Sequence, residues 1–165
     1  MQNYEKKIAA IMTRNRMTLG VVESATGGLI SHRITSISGA SEFFLGSVTA
    51  YSNDVKLKVI GVQVETLARH GAVSGPVAEQ MAAGGLRLLG ADICLADTGI
   101  AGPAGGTAEK PVGLVYIAIA DRNAARNRHF VFSGTREQNK HAFAEAALGW
   151  LAECLETLDR GHNGG

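Results

Sequence analysis

The stretch Glu23-Ser24-Ala25-Thr26-Gly27-Gly28 constrains this chain more than any other. Ahead of it, residues 18–22 are apolar and β-branched and read as a short buried strand. Behind it, apolar residues at 29, 30, 34 and 37 mark a helix face. A strand that passes through a glycine-rich turn into a helix is the building unit of an α/β fold, and it puts Ser24 at a strand end, where open α/β sheets receive ligands. A helix start offers unpaired N–H groups and the positive end of a dipole, so it attracts anions. Gly27 and Gly28 let a ligand approach the backbone closely. One reading is a nucleophilic or substrate-contacting Ser24 above an anion-binding helix start. The other is a capped strand-to-helix turn with Thr26 as N-cap. This stretch alone leaves both open.

The rest of the chain extends the pattern. A helix is predicted over 4–15, with Ile8, Ala9, Ile11 and Met12 on one side. The helix after Gly28 ends near Ser38-Gly39. A second strand covers 43–51, and Ser52-Asn53-Asp54 caps a helix over 55–60. A short helical piece at 64–70 precedes a longer helix that starts at Ser74-Gly75-Pro76 and runs to about Leu89. Strands follow at 93–97, 114–120 and 128–132, with a long glycine- and proline-rich loop over 98–112 and a turn at 121–123. The final helix spans 136–158, with Phe143, Ala147, Trp150, Leu151, Cys154, Leu155 and Leu158 as its apolar stripe. Strands first alternate with helices, then three come in succession, which predicts a mixed sheet of about five strands with helices on both faces. No repeat or boundary divides the chain, so residues 1–160 form a single domain and 161–165 a flexible tail.

Composition narrows the function classes. With 165 residues, 45% hydrophobic and 19% charged, the chain is an ordinary globular domain, and a net charge of +1 argues against nucleic-acid or membrane partners. No apolar run is long enough to span a membrane, and residues 1–17 are too polar for a signal peptide, so a cytoplasmic protein is expected. Cys94 and Cys154 lie in apolar segments and read as small hydrophobes in a reducing compartment. The five histidines are scattered without a ligand-like pair, so neither a metal nor a cofactor is expected.

Three further features carry possible chemistry. Lys56 falls early in the helix that follows the strand ending at Tyr51, and a lysine near a serine serves as its base when burial lowers its pKa. A tyrosine hydroxyl beside them can relay a proton or hold the amine. The alternative is a solvated Lys56 and a strand-edge Tyr51. The loop containing Thr98, Gly99 and Gly102 can present consecutive N–H groups to an oxyanion or phosphate. It is neither a Walker A loop nor a dinucleotide fingerprint, and a flexible hairpin connection is its plain reading. Arg136 can clamp a phosphate or carboxylate, or it is a surface arginine.

In order, ESATGG at 23–28, AYSNDVK at 50–56, HGAVS at 70–74, TGIAGPAGG at 98–106 with KPVG at 110–113, and SGTRE at 133–137 resemble the CinA C-terminal-domain family, the nicotinamide-nucleotide amidohydrolases. The resemblance runs from about Val21 to Ala147, in the stand-alone form without the N-terminal partner domain of longer members. It implies a three-layer α/β/α sandwich around a mixed, mostly parallel sheet. It also implies hydrolysis of the carboxamide of nicotinamide mononucleotide to nicotinate mononucleotide and ammonia. The family's serine, tyrosine and lysine fall on Ser24, Tyr51 and Lys56, with substrate contacts expected from Thr26, Gly27, Gly28, Thr98, Gly99, Gly102 and Arg136. The expected partner is a small nucleotide substrate, and a homo-oligomer of two or more copies is expected. Two positions depart from the pattern: Asp97, where a small or hydroxylic residue is expected, and Gln138-Asn139-Lys140, where more arginine is expected. Both bear on substrate affinity, and a family member that binds without turnover is the alternative function.

Overall fold

Five apolar segments pair into one sheet, and the helices between them bury its two faces. The computed structural model describes residues 3–162. The strands are β1 (Leu19–Glu23), β2 (Phe44–Thr49), β3 (Ile93–Gly99), β4 (Leu114–Ala120) and β5 (Ala125–Val131), in spatial order β2-β1-β3-β4-β5. The β2-β1 and β1-β3 pairs are parallel, whereas β4 is antiparallel to both β3 and β5. Four of the five strands therefore point one way, giving the mixed, mostly parallel sheet expected. Every residue of β1 is buried, as a central strand covered on both sides requires, whereas the edge strand β2 alternates.

One face carries α1 (Tyr4–Arg14), α2 (Leu29–Thr35) and α6 (Arg136–His162), packed through Ile8, Met12, Ile30, Ile34, Phe143 and Leu151. The other carries α3 (Asn53–Val55), which continues as a π turn over Lys56–Ile60, then α4 (Val64–His70) and α5 (Gly75–Leu89). Cys94 faces α5, and burial pushes its thiol up to about 12, consistent with a packing role. Among the described residues no helix is long and apolar enough to cross a membrane.

Several boundaries differ from the sequence expectation, each for a local reason. Helix α2 stops at Thr35 because the Thr35 and Ser36 hydroxyls donate back to the Ser31 and His32 carbonyls, and the chain then turns at Gly39 with φ 85°. Strand β5 starts at Ala125, because pairing with Ala120 recruits a segment without apolar alternation. Helix α6 runs through His162, so residues 161 and 162 of the expected tail are helical, and 163–165 lie outside the described residues. The Ser74 cap and the bounds of α4 and β4 agree with expectation.

Helix α5 lies unusually close to its neighbours. A Cβ at Gly84 would fall 2.1 Å from the Ile60 carbonyl oxygen, and one at Gly85 would fall 2.3 Å from Val22 Cγ2. Gly84→Ala therefore displaces the π turn. We expect it to lower unfolding stability by about 1–3 kcal/mol and to reduce activity, read by denaturant titration beside a turnover assay. An unchanged midpoint would show that this contact relaxes freely.

Candidate active site

With strand order 2-1-3, the crevice beyond the carboxyl ends of β1 and β3 is the point where the chain switches direction across the sheet, the place where open α/β sheets bind ligands. Ser24 follows β1, Thr98 and Gly99 end β3, and Tyr51 and Lys56 follow β2. These residues and Gly102 and Arg136 line a single cavity of about 270 Å³.

Lys56 is 2% exposed. The Ser52 hydroxyl caps the helix that carries it, and the π turn aims its side chain inward. Its Nζ lies 3.0 Å from Ser24 Oγ and donates to the Ala50 and Tyr51 carbonyl oxygens at 2.8 and 3.2 Å. Burial pushes the ammonium below the ordinary lysine value, and the charge of Asp97 opposes that shift. A neutral amine has two hydrogens and one lone pair. In that form, with its hydrogens on the two carbonyls, the amine would turn its lone pair to the Ser24 hydroxyl, whereas the ammonium donates to all three oxygens. The solvated-lysine alternative is thus excluded.

Tyr51 does not hold the amine with its hydroxyl. The residue is 61% exposed and its hydroxyl oxygen accepts a hydrogen bond from Arg136 Nη2 at 3.1 Å. Its backbone carbonyl, rather than its ring, touches Lys56. Arg136 Nη1 donates to the Gly102 carbonyl at 2.8 Å, which ties the start of α6 to the glycine loop.

The helix start after Ser24 is not an open anion site. The Glu23 carboxylate fills it, accepting from the N–H groups of Gly28, Ile30 and Ser31 and from the Ser31 and Thr26 hydroxyls. Thr26 is not the N-cap. That position belongs to Gly28, at φ 102°, and Thr26 is fully buried with its hydroxyl 2.6 Å from both Glu23 Oε2 and Asp97 Oδ1. Thr26, Gly27 and Gly28 line a neighbouring groove of about 610 Å³ with His32, Lys140 and Arg136, so among the described residues only Arg136 borders both spaces.

Sequence reasoning missed Glu23 as a structural anion, and it noted Asp97 only as a departure. Asp97 is fully buried, and it accepts from the backbone N–H groups of Ser24 and Thr26. Burial pushes its carboxyl up to about 6, hydrogen bonds from Thr26 and Ser24 oppose this, and the charge of Glu23 adds to it. The visible signal was a carboxylate closing each of two buried strands. Asn139, within the second departure, donates to the Ala101 and Gly134 carbonyls and so fixes the glycine loop against α6.

The base of that loop is strand-like, with Ile100 N–H donating to the Leu114 carbonyl and Gly113 N–H to that of Ile100. Beyond it, the N–H groups of Ala101, Gly102, Ala104 and Gly105, residues that line the cavity, have no hydrogen-bond partner among the described residues. The same holds for Ala25, directly after Ser24. The Thr98 hydroxyl is engaged, donating to the Ala72 carbonyl at 2.8 Å. No cluster of three metal-ligating side chains occurs among the described residues.

A family model described as the CinA C-terminal domain matches residues 1–155. The chain belongs to that family. It is 47% identical over 144 residues to a CinA-like protein of Geotalea daltonii, covering 87% of this chain and 35% of that one. It is 44% identical over 163 residues to a CinA-like protein of Chlorobaculum tepidum, covering 94% and 38%. The chain thus spans little more than a third of these curated relatives. Two similar crystal structures match nearly end to end. The competence/damage inducible protein CihA of Agrobacterium tumefaciens has a TM-score of 0.86 at 38% identity, covering 94% of this chain and 97% of that one. The competence damage-inducible protein A (ComA) of Klebsiella pneumoniae has a TM-score of 0.89 at 32% identity, covering 93% and 95%. The CinA fold therefore extends across the described chain, with Ser24 and Lys56 at its sheet switch point.

Proposed function

We propose that this CinA-family chain hydrolyses the carboxamide of nicotinamide mononucleotide, releasing ammonia and nicotinate mononucleotide, with Ser24 as nucleophile and Lys56 as its base. The observation that carries this reading is the buried Lys56 amine 3.0 Å from the Ser24 hydroxyl, with two carbonyls fixing its direction. In the first step the Ser24 proton passes to Lys56 as Oγ bonds to the carboxamide carbon. The Ala25 N–H, on the residue after the nucleophile, meets the oxyanion that forms. Lys56 then returns the proton to the departing nitrogen, the C–N bond breaks, and ammonia leaves. A water attacks the acyl carbon, giving its proton to Lys56, and the ester bond to Ser24 breaks as Lys56 passes that proton back to Ser24 Oγ. No step calls for a metal or cofactor.

Ser24→Ala removes the nucleophile without opening a cavity, so turnover is expected to fall below a tenth of wild type, on the order of 10²-fold or more, while thermal stability holds. Ammonia release from nicotinamide mononucleotide by the purified protein is the measurement. A variant that keeps more than about a tenth of the activity rules out the covalent route. The second reading is a nucleotide-binding module without turnover, and the burial of the Asp97 carboxyl near Lys56 is the observation that favours it, because an ionised Asp97 would pull Lys56 toward its protonated form. Binding of the mononucleotide without ammonia release would select it.

A further inference from the structure

A hydroxyl has one proton to donate. The Thr26 hydroxyl lies 2.6 Å from Glu23 Oε2 and 2.6 Å from Asp97 Oδ1. Both separations are in the hydrogen-bond range for two oxygens, and two contacts this short are best satisfied by two hydrogens. Thr26 supplies one. The other must sit on a carboxyl group, because an ionised carboxylate only accepts. Glu23 has the fuller set of donors, with Gly28 and Ile30 N–H on Oε2 and the Ser31 N–H and hydroxyl on Oε1, which stabilises its ionised form. Asp97 receives only two backbone N–H groups, at 3.1 and 3.2 Å.

Geometry therefore orders the chain. Asp97 Oδ1–H donates to Thr26 Oγ1, and Thr26 Oγ1–H donates to Glu23 Oε2. The charged groups that face Asp97 are Glu23, from the end of β1, and Lys56, from the π turn. Burial raises the Asp97 carboxyl to about 6, against the hydrogen bonds from Thr26 and Ser24 that lower it. With that proton given to Glu23, the opposing influence is lost and Asp97 holds its own proton more firmly.

We propose that Asp97 is a protonated carboxylic acid in the folded protein, hydrogen-bonded through Thr26 to an ionised Glu23, and that its neutrality leaves Lys56 free to act as a base. The first part stands on the hydrogen-bond count alone. The second rests on the amidohydrolase reading. Asp97 touches no reacting atom. It is a positioning residue that acts through Lys56 and through the Ser24 backbone it holds. When it ionises, its charge draws a proton onto Lys56 and opposes the oxyanion on Ser24.

The test has two arms. Infrared spectra of the full-length protein at neutral pH are expected to show the carbonyl stretch of a protonated carboxyl. That band should shift when aspartate is carboxyl-labelled with carbon-13, and it should vanish in Asp97→Asn. Absence of the band, or a band unmoved by labelled aspartate, overturns the proposal. The labelled wild type decides this even if the variant fails to fold, and Thr26→Ser, which keeps the hydroxyl, should retain the band. In the second arm, wild-type kcat/KM for nicotinamide mononucleotide should decline at least about threefold as pH rises through the ionisation of Asp97, while Asp97→Asn stays level. Identical alkaline profiles would overturn the link to Lys56. If no form releases ammonia, the amidohydrolase reading fails, and the band still decides whether Asp97 holds the proton.

Discussion

Lys56→Arg is expected to be as inactive as Lys56→Ala, with kcat reduced roughly 10²–10⁴-fold, the usual contribution of a positioned base. Arginine keeps the charge and much of the length of lysine, so a purely electrostatic role would survive the change. It does not lose its proton in proteins and has no lone pair to direct at a hydroxyl. Its planar fork also cannot reproduce the paired bonds to the Ala50 and Tyr51 carbonyls. Lys56→Met separates catalysis from folding, because it fills the volume of the stem without burying a charge. It should be inactive with a melting temperature at or above that of wild type. An active Lys56→Arg protein would end the base assignment, whatever its stability.

Nicotinamide mononucleotide is expected to be hydrolysed at least about a hundredfold better than its riboside, a gap equivalent to ~2.8 kcal/mol, and free nicotinamide should be nearly inert. Each charge-assisted hydrogen bond to phosphate contributes on the order of 1.5–3 kcal/mol. Binding energy from that remote group also holds the carboxamide within reach of Ser24. Glu23 already consumes the N–H groups at the start of α2, so they cannot supply these bonds. The loop N–H groups at Ala101, Gly102, Ala104 and Gly105 can, together with the Arg136 guanidinium beside them. Arg136→Ala should therefore slow the nucleotide and leave the riboside nearly unchanged. The check is kcat/KM for all three compounds with both proteins. Equal values for nucleotide and riboside would sink the phosphate anchor. A full gap that survives Arg136→Ala would assign the anchor to the loop alone.

Elements whose pattern is local were legible in the sequence. Helix α5 announced itself through Ser74, Pro76 and its small-residue face, and β4 through an unbroken apolar run. Ser24 and Lys56 were legible as residue types at a strand end and in a first helical turn. Their separation was not, because it depends on the β1-β2 register and on the winding between Ser52 and Ile60. The helix start was misread because a carboxylate that will satisfy an anion site looks, in sequence, like any surface glutamate. Whether Glu23 faces inward is set by alternation along β1, which puts it on the same side of the sheet as Val21. Tyr51 differs in one respect: its backbone carbonyl, and not its hydroxyl, holds the Lys56 amine, while the hydroxyl meets Arg136.

The π turn over Lys56–Ile60 makes chain length itself part of the site. Its wider winding accommodates one residue more than an α-helix would over the same span. Removing a residue from this turn would let it wind back to α pitch, and the directions of Lys56 and Ile60 relative to each other would change. Lys56 would then leave Ser24, or Ile60 would leave its bed against Gly84. Side chains facing solvent in this segment, such as Lys58, are free to vary in kind. The number of residues is not, so drift in this stretch is restricted to substitution, and an insertion or deletion here would mark a chain that has given up this arrangement of serine and lysine.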